Sequence, residues 1–209
     1  MYLPAHFAET RQDVLLSLIE SHRLATIVRV GPDGLVADHI PLIIHQRENP
    51  VTLRGHVARA NPLWREADGA DVLVIFQGPQ AYVSPGWYAS KAEHGKVVPT
   101  WNYAVVHASG RLAAIDDTSW LHGHASEMTD ANEAKFAEPW KVSDAPAPYI
   151  EATARAIVGI EITVSKLTGK WKVSQNRSTA DRAGVAQGLR AHGNANDMAE
   201  LVAPPDETK

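Results

Sequence analysis

The sequence predicts a mainly β protein with peripheral helices, an antiparallel barrel rather than a doubly wound sheet. Three observations lead there. Six to eight short runs rich in Val, Ile and Leu are spread along the 209 residues, and such clustering suits a pleated, half-buried surface. Helical periodicity is confined to the beginning, middle and end of the chain. Strand and helix do not alternate in the way that builds a parallel sheet.

In chain order, an extended MYLPAHF leads to Thr10, which caps a helix to about His22. Val14, Leu15, Leu18 and Ile19 form its apolar stripe. Residues 24–30 (LATIVRV) read as a strand, Gly31-Pro32-Asp33-Gly34 as a tight turn, and residues 35–44 (LVADHIPLII) as the returning strand. Pro41 within the second strand demands an edge, a bulge or a bend, because it donates nothing to a ladder. Residues 51–57 (VTLRGHV) form a third strand, followed by a helical turn in ARANPLWREA. The apolar run VLVIF at 72–76 predicts a central strand buried on both faces, with residues 81–83 as its hairpin partner beyond a Gly78-Pro79 turn. Residues 101–115 give a strand broken by a bulge or hairpin at Ser109-Gly110. Asp116-Asp117-Thr118 caps a helix over 120–128, and the proline-marked stretch 133–148 wraps without regular structure. Residues 156–164 (AIVGIEITV) are a further strand, and Thr179 or Asp181 opens a final helix to about Ala191. The expected organisation is one domain over 1–190 with a mobile tail over 191–209.

Composition removes several function classes. Hydrophobic residues make up 44% and charged residues 21%, ordinary globular values. A net charge of −4 argues against general affinity for nucleic acid, where phosphate neutralisation dominates. The absence of Cys removes disulfides, thiolate metal sites and cysteine nucleophiles. No basic flank and apolar run opens the chain, and no stretch reaches the ~20 apolar residues of a membrane helix. The expectation is a soluble, cytoplasmic protein with no membrane partner. Seven acids between Asp116 and Asp144, against Lys135 and Lys141, read as a solvated outer face.

The most informative stretch is 81–103 (AYVSPGWYASKAEHGKVVPTWNY), which holds two of six Trp and three of five Tyr among turn residues. Rings on a loop with polar neighbours suit a flat ligand, or an Ω-type loop that closes over the core with its own rings. The ten His include no HExxH pair, so no metal site is expected; a single axial His to haem leaves no spacing to detect. Ser84 lacks a GxSxG elbow, and neither GxGxxG after a strand nor GxxxxGK[ST] occurs. Two basic segments remain. HVARANPLW places Arg59 and Asn61 where a strand gives way to a short helix, a reasonable phosphate cradle. KWKVSQNR sets Lys170, Lys172 and Ser174 on one strand face and Trp171 and Val173 on the other. With the ring-rich loop, these segments sketch a planar anionic cofactor, and flavin mononucleotide matches that description.

The chain resembles the PaiB-type FMN-binding negative transcriptional regulators. The segments that carry the likeness are MYLPAHF, HIPLI, GHVARANPLW, GPQAYVSPGWY, VPTWNYAVVHASG, IVGIEI, GKWKVSQNR and ADRAGVAQGL, spanning nearly the whole length. The resemblance implies an FMN-binding split β-barrel, antiparallel and Greek-key-like, assembled as a homodimer with FMN at the subunit interface. It implies Arg59 and Asn61 as phosphate contacts and Asp38, His39 and His56 near the ring. Trp101 and Asn102 would reach in from the neighbouring subunit, and Lys172 adds a cation. It also implies a regulator with DNA as a partner, for which the final helix with Arg182 and Arg190 is the only candidate. The alternatives are a flavin-dependent oxidoreductase or flavin reductase, whose chemistry would belong mainly to the isoalloxazine, and a haem-binding or haem-degrading split barrel.

Overall fold

Each strand of this protein is placed by alternation of apolar side chains, and three strands prove far longer than their apolar runs. A computed structural model describes residues 1–192 and 195–203. A 3-10 turn at Ala5–Phe7 leads to β1 (Ala8–Glu9), α1 (Gln12–Ser21), β2 (Leu24–Gly31), β3 (Gly34–Pro41), β4 (Ile43–Gln46) and β5 (Thr52–Ala58). After α2 (Leu63–Glu66) come β6 (Asp71–Val83), a 3-10 turn at Pro85–Trp87, α3 (Ser90–His94) and β7 (Thr100–Ile115). The rest is α4 (Thr118–Glu133), a 3-10 turn at Val142–Asp144, α5 (Ala147–Arg155), β8 (Ile157–Lys172), α6 (Thr179–His192) and α7 (Asn196–Val202). Among the described residues the strands join in one antiparallel sheet of order β3-β2-β6-β7-β8-β5-β4, with β1 added on β8. The expected mainly β, antiparallel architecture is what forms.

The chain divides into two compact units. The first comprises Leu16–Phe76 and His107–Leu167. Its hairpin register runs from Leu24 opposite Pro41 to Gly31 opposite Gly34. Pro41 ends that ladder, and one residue later the chain enters β4, which pairs with β5 instead. Leu42, fully buried, makes the corner, and its amide donates to the Arg23 carbonyl at 2.9 Å. The bend expected from Pro41 is therefore a change of partner. Ile19, Ile27, Leu42, Leu53, Leu63, Phe76, Leu112, Ile160 and Ile162 fill the interior. β7 runs as one strand through Ser109-Gly110 and does not fold into a hairpin there. Gly110 is there for close approach: a Cβ would stand 2.5 Å from the Thr163 carbonyl oxygen. Asp117 caps α4 as expected, its carboxylate accepting from the Trp120 amide at 2.7 Å.

Three expectations fail in informative ways. The VLVIF strand is central but alternates, with Val72, Val74 and Phe76 buried and Leu73 and Ile75 half-buried. Gly78-Pro79 does not turn, since a proline φ near −65° is compatible with an extended strand and only a ladder donor is lost. The stretch 133–148 is followed by an unforeseen helix, α5, with Pro148 in its first turn, where a missing N–H costs nothing.

The second unit holds Met1–Leu15, Gln77–Val106 and the chain from Thr168. Its core is Ala81, Val83, Tyr88, Val173, Val185, Ala186, Leu189, Met198, Ala199 and Val202. Where the sequence predicts a tail from residue 191, Asn196–Val202 forms α7 and buries Met198, Ala199 and Val202. Residues 193–194 and 204–209 of that tail lie outside the described residues. Asp181 is buried at the start of α6 and accepts from the Ser90 amide at 2.9 Å and its hydroxyl at 3.0 Å, which holds its carboxyl below the usual range.

Candidate functional site

Strand alternation decides where the candidate side chains of the first unit go. Asp38 and His39 are neighbours on β3, so they face opposite ways. Asp38 shares a face with buried Ile40, and its Oδ1 accepts from Asn61 Nδ2 at 3.0 Å. Beside it lies Arg29, whose side chain is only 2% exposed. Arg29 Nη1 donates to Glu66 at 2.6 Å, while its Nε sits 3.8 Å from Asp38 Oδ2. Those two facing atoms, Nε and Oδ2, are buried without a hydrogen-bond partner. Asn61 also accepts from the Leu63 amide at 2.8 Å, so the cradle amide at the start of α2 is already satisfied by a side chain.

His39 points outward and meets Thr26 Oγ1 at 3.1 Å. It belongs to a strip of four facing pairs on β2 and β3: Leu24 with Pro41, Thr26 with His39, Val28 with Ala37 and Val30 with Leu35. Leu24, Val30 and Leu35 are 65%, 77% and 78% exposed. Leu73 and Ile75 of β6 pair with Val28 and Thr26 and extend the same apolar face.

His56 takes a third direction. On β5 it lies opposite Gly159 and under α4, with Nδ1 3.1 Å from Nε2 of the buried His124. Trp120 stacks on His124 at a centroid distance of 5.0 Å. Burial pushes the His56 imidazole down, and burial with the neighbouring His56, Arg54 and His45 charges pushes His124 down to about 4. Arg54 in turn donates to Glu161 at 2.7 Å. Among the described residues no group of three His, Asp or Glu could hold a metal ion.

Arg59 is at the surface. Its fork grips Asp116 through two 2.7 Å bonds, and it donates further to the Arg155 and Ile157 carbonyls. The hydrogen-bonded Asp116 carboxylate raises the Arg59 pKa, and Asp116 is held below its ordinary value in return. Of the five candidates in this unit, only Asp38 and Asn61 touch.

In the second unit Trp101, half-exposed, donates from Nε1 to Gln80 at 3.1 Å and meets the Tyr82 ring edge-on at 6.2 Å. Lys172 donates to the Thr100 hydroxyl and, at 2.6 Å, to the Trp101 carbonyl. Burial, then the nearby Lys170 and Arg177 charges, lowers its pKa. Asn102 is buried and donates to Ser174 Oγ at 2.9 Å. Ser174 does not continue the strand alternation: it has φ 65°, a left-handed conformation that few non-glycine residues adopt.

Three partners were missed. Arg29 occupies an inward position in LATIVRV, and a charge at that parity was the available signal. His124 follows buried Leu121 by one helical turn, which marks it as inward. Asp116 carries no local signal as the partner of Arg59, because that role depends on long-range pairing.

The comparisons with known proteins agree with this architecture. Residues 1–166 match the family model described as "Putative FMN-binding domain". Protease synthase and sporulation protein PAI 2 of Bacillus subtilis is 31% identical over 205 residues, covering 97% of this chain and 96% of its own. An uncharacterised protein of Emericella nidulans is 34% identical over 226 residues, 90% of each chain. The FAD and heme binding protein from Mycobacterium smegmatis shares the fold, with TM-score 0.57 at 18% identity over 79% of this chain and 73% of that one.

Proposed function

The chain belongs to the PaiB-type FMN-binding family, and on that premise we propose that it works as a cytoplasmic FMN-binding homodimer that negatively regulates transcription. FMN is the cofactor. The apolar strip on β2, β3 and β6 carries the homodimer reading. Exposed Leu24, Val30 and Leu35 lie in register on one face, the kind of patch a soluble chain hides against a second copy.

The residues present fit a phosphorylated planar ring in their chemistry. Arg59 offers a planar fork that already holds an oxyanion, and its present partner Asp116 is an exposed carboxylate that a phosphate can replace. Asp38 keeps a buried acceptor in reserve and Asn61 orients it. We assign Arg59 and Asn61 to the phosphate side, Asp38 and His56 to polar contacts, and His39, Trp101 and Lys172 to contacts completed in the dimer. Asn102 acts through Ser174. When bound, the isoalloxazine supplies reversible electron and hydride uptake.

A second reading, a flavin-dependent oxidoreductase, is favoured by α6. That helix buries Val185, Ala186 and Leu189, and Arg182 donates to the Val202 carbonyl at 2.9 Å, so it offers DNA little of a basic recognition face. Light scattering with an absorbance spectrum of the purified protein tests the core of the proposal. A dimer carrying a flavin spectrum supports it; a monomer, or a Soret band in place of flavin, overturns it. A gel shift that survives physiological salt separates regulator from oxidoreductase.

A further inference from the structure

On the β7 and β8 segments of the second unit, one face of the sheet collects rings and cations. Lys170 and Lys172 are two apart on β8, so they share a face. Trp101 and Tyr103 are likewise two apart on β7, the neighbouring strand. Lys170 Nζ is 5.3 Å from the Tyr103 ring centroid and 5.7 Å from that of Tyr2. Lys172 lies against the Trp101 backbone. Tyr82 stands beside the Trp101 ring, and both rings are about half exposed: 49% for Tyr82 and 50% for Trp101.

Lys170 is the anomaly. It is 8% exposed, and its one hydrogen bond among the described residues goes to the Tyr2 carbonyl at 3.1 Å. Neither Lys170 nor Lys172 forms an ion pair with any described residue. An ammonium withdrawn from water is costly unless an anion or several acceptors compensate it. Two such ammoniums on adjacent positions of one face repel each other as well. Cation–π contact with Tyr103 and Tyr2 offsets part of this, but a ring face is no substitute for an oxyanion.

We propose that this face, with Lys170 and Lys172 as anchors and Trp101 as a stacking wall, binds an aromatic ring that carries a phosphate or carboxylate. The oxyanion accepts from both ammoniums and removes their mutual repulsion. The ring lies along the exposed Trp101, as aromatic pairs do at 4.5–7 Å centroid separations. Burial and the Lys170 and Arg177 charges already lower the Lys172 pKa, and an oxyanion between the lysines reverses that trend. Lys170 has no part in the cofactor contacts assigned above. In one respect the inference rests on that assignment, because FMN is itself a ring with a phosphate and is one of two sources for this ligand. The other is a separate aromatic acid, a substrate or effector.

The test is a titration of the full-length protein with phenyl phosphate, benzoate and the neutral benzyl alcohol, read by tryptophan fluorescence. Phenyl phosphate and benzoate should bind at least about tenfold more tightly than benzyl alcohol. Lys170→Met and Lys172→Met should each abolish that preference, and Lys170→Arg should retain it. Near-ultraviolet circular dichroism establishes that the variants are folded. If FMN's own phosphate is the occupant, phenyl phosphate competes with FMN, and the Met variants lose discrimination between FMN and riboflavin. If the occupant is a separate acid, phenyl phosphate binds the FMN-loaded protein and Lys170→Met, which lies outside the assigned cofactor contacts, binds FMN as before. Equal binding of the acids and benzyl alcohol, or folded Met variants indistinguishable from the parent in both assays, overturns the proposal. The phenyl phosphate arm needs no flavin, so it reads out even where FMN binding fails.

Discussion

His56 Nδ1 and His124 Nε2 stand 3.1 Å apart, and only one of them carries the proton between them. His124 Nδ1 is buried with no partner. A bare acceptor is tolerated there more readily than an orphaned N–H, which is rare in protein interiors. His124 is therefore the donor through Nε2, His56 accepts at Nδ1, and His56 holds its own proton on Nε2. The pair is neutral at pH 7, because both imidazoles are pushed below their ordinary value.

That relationship makes stability depend on pH. The folded His124 titrates at about 4 against 6.5 when unfolded, so between those values the unfolded chain binds the extra proton. Stability is intact above pH 6.5, falls as the pH drops toward 4, and this contribution levels off below it. The full shift corresponds to about 3 kcal/mol. Urea unfolding from pH 7 to 4 should show a shallower slope in His124→Phe than in the parent, and equal slopes refute the assignment.

Arg59 tests the phosphate side of the cofactor reading. Arg59→Ala should weaken FMN affinity by more than about tenfold while leaving riboflavin affinity near the parent value. Asp116→Asn should strengthen FMN binding, since the carboxylate now occupies the same fork. Flavin fluorescence titration measures both, and unchanged FMN affinity in Arg59→Ala removes that residue from the site.

Arg29 is a structural charge. Replacing it with Met strips Glu66 and Asp38 of their shared cation while Asp38 stays largely enclosed. The expected loss is about 3 kcal/mol, the lower end for breaking a buried pair because Glu66 is a third exposed. Chemical denaturation gives the value. Asp38→Asn paired with Arg29→Met should recover part of it.

The apolar strip on β2 and β3 predicts the oligomeric state. Leu35→Glu or Val30→Lys should convert the dimer to a monomer in sedimentation, with the unfolding midpoint of the isolated subunit little changed, since both side chains are more than three-quarters exposed. A dimer that survives both substitutions places the interface elsewhere.

Much of the fold was legible because alternation and capping are local. The β2–β3 hairpin, the Asp117 cap and α6 follow from residues within a few positions of each other. Failures cluster where distant contacts overrule a local rule. Gly78-Pro79 reads as a turn, yet β6 continues through it as one strand to Val83. Gly110 reads as a break but answers to the Thr163 carbonyl on β8. The site was legible as residue types rather than as a constellation. Asp38, His39 and His56 were rightly placed on strands, but the pleat sends them to three surfaces, and only pairing partners such as His124 and Thr26 reveal which.

Leu42 has a consequence for solubility. Exposed margins of a sheet recruit stray strands, and proteins defend them with charges, prolines or covering segments. Here the terminal strands of the order, β3 and β4, are consecutive in the chain, so a single buried leucine stitches one margin to the other. An invading strand finds both hems drawn together at that end, and the bond from the Leu42 amide to the Arg23 carbonyl keeps the stitch from loosening.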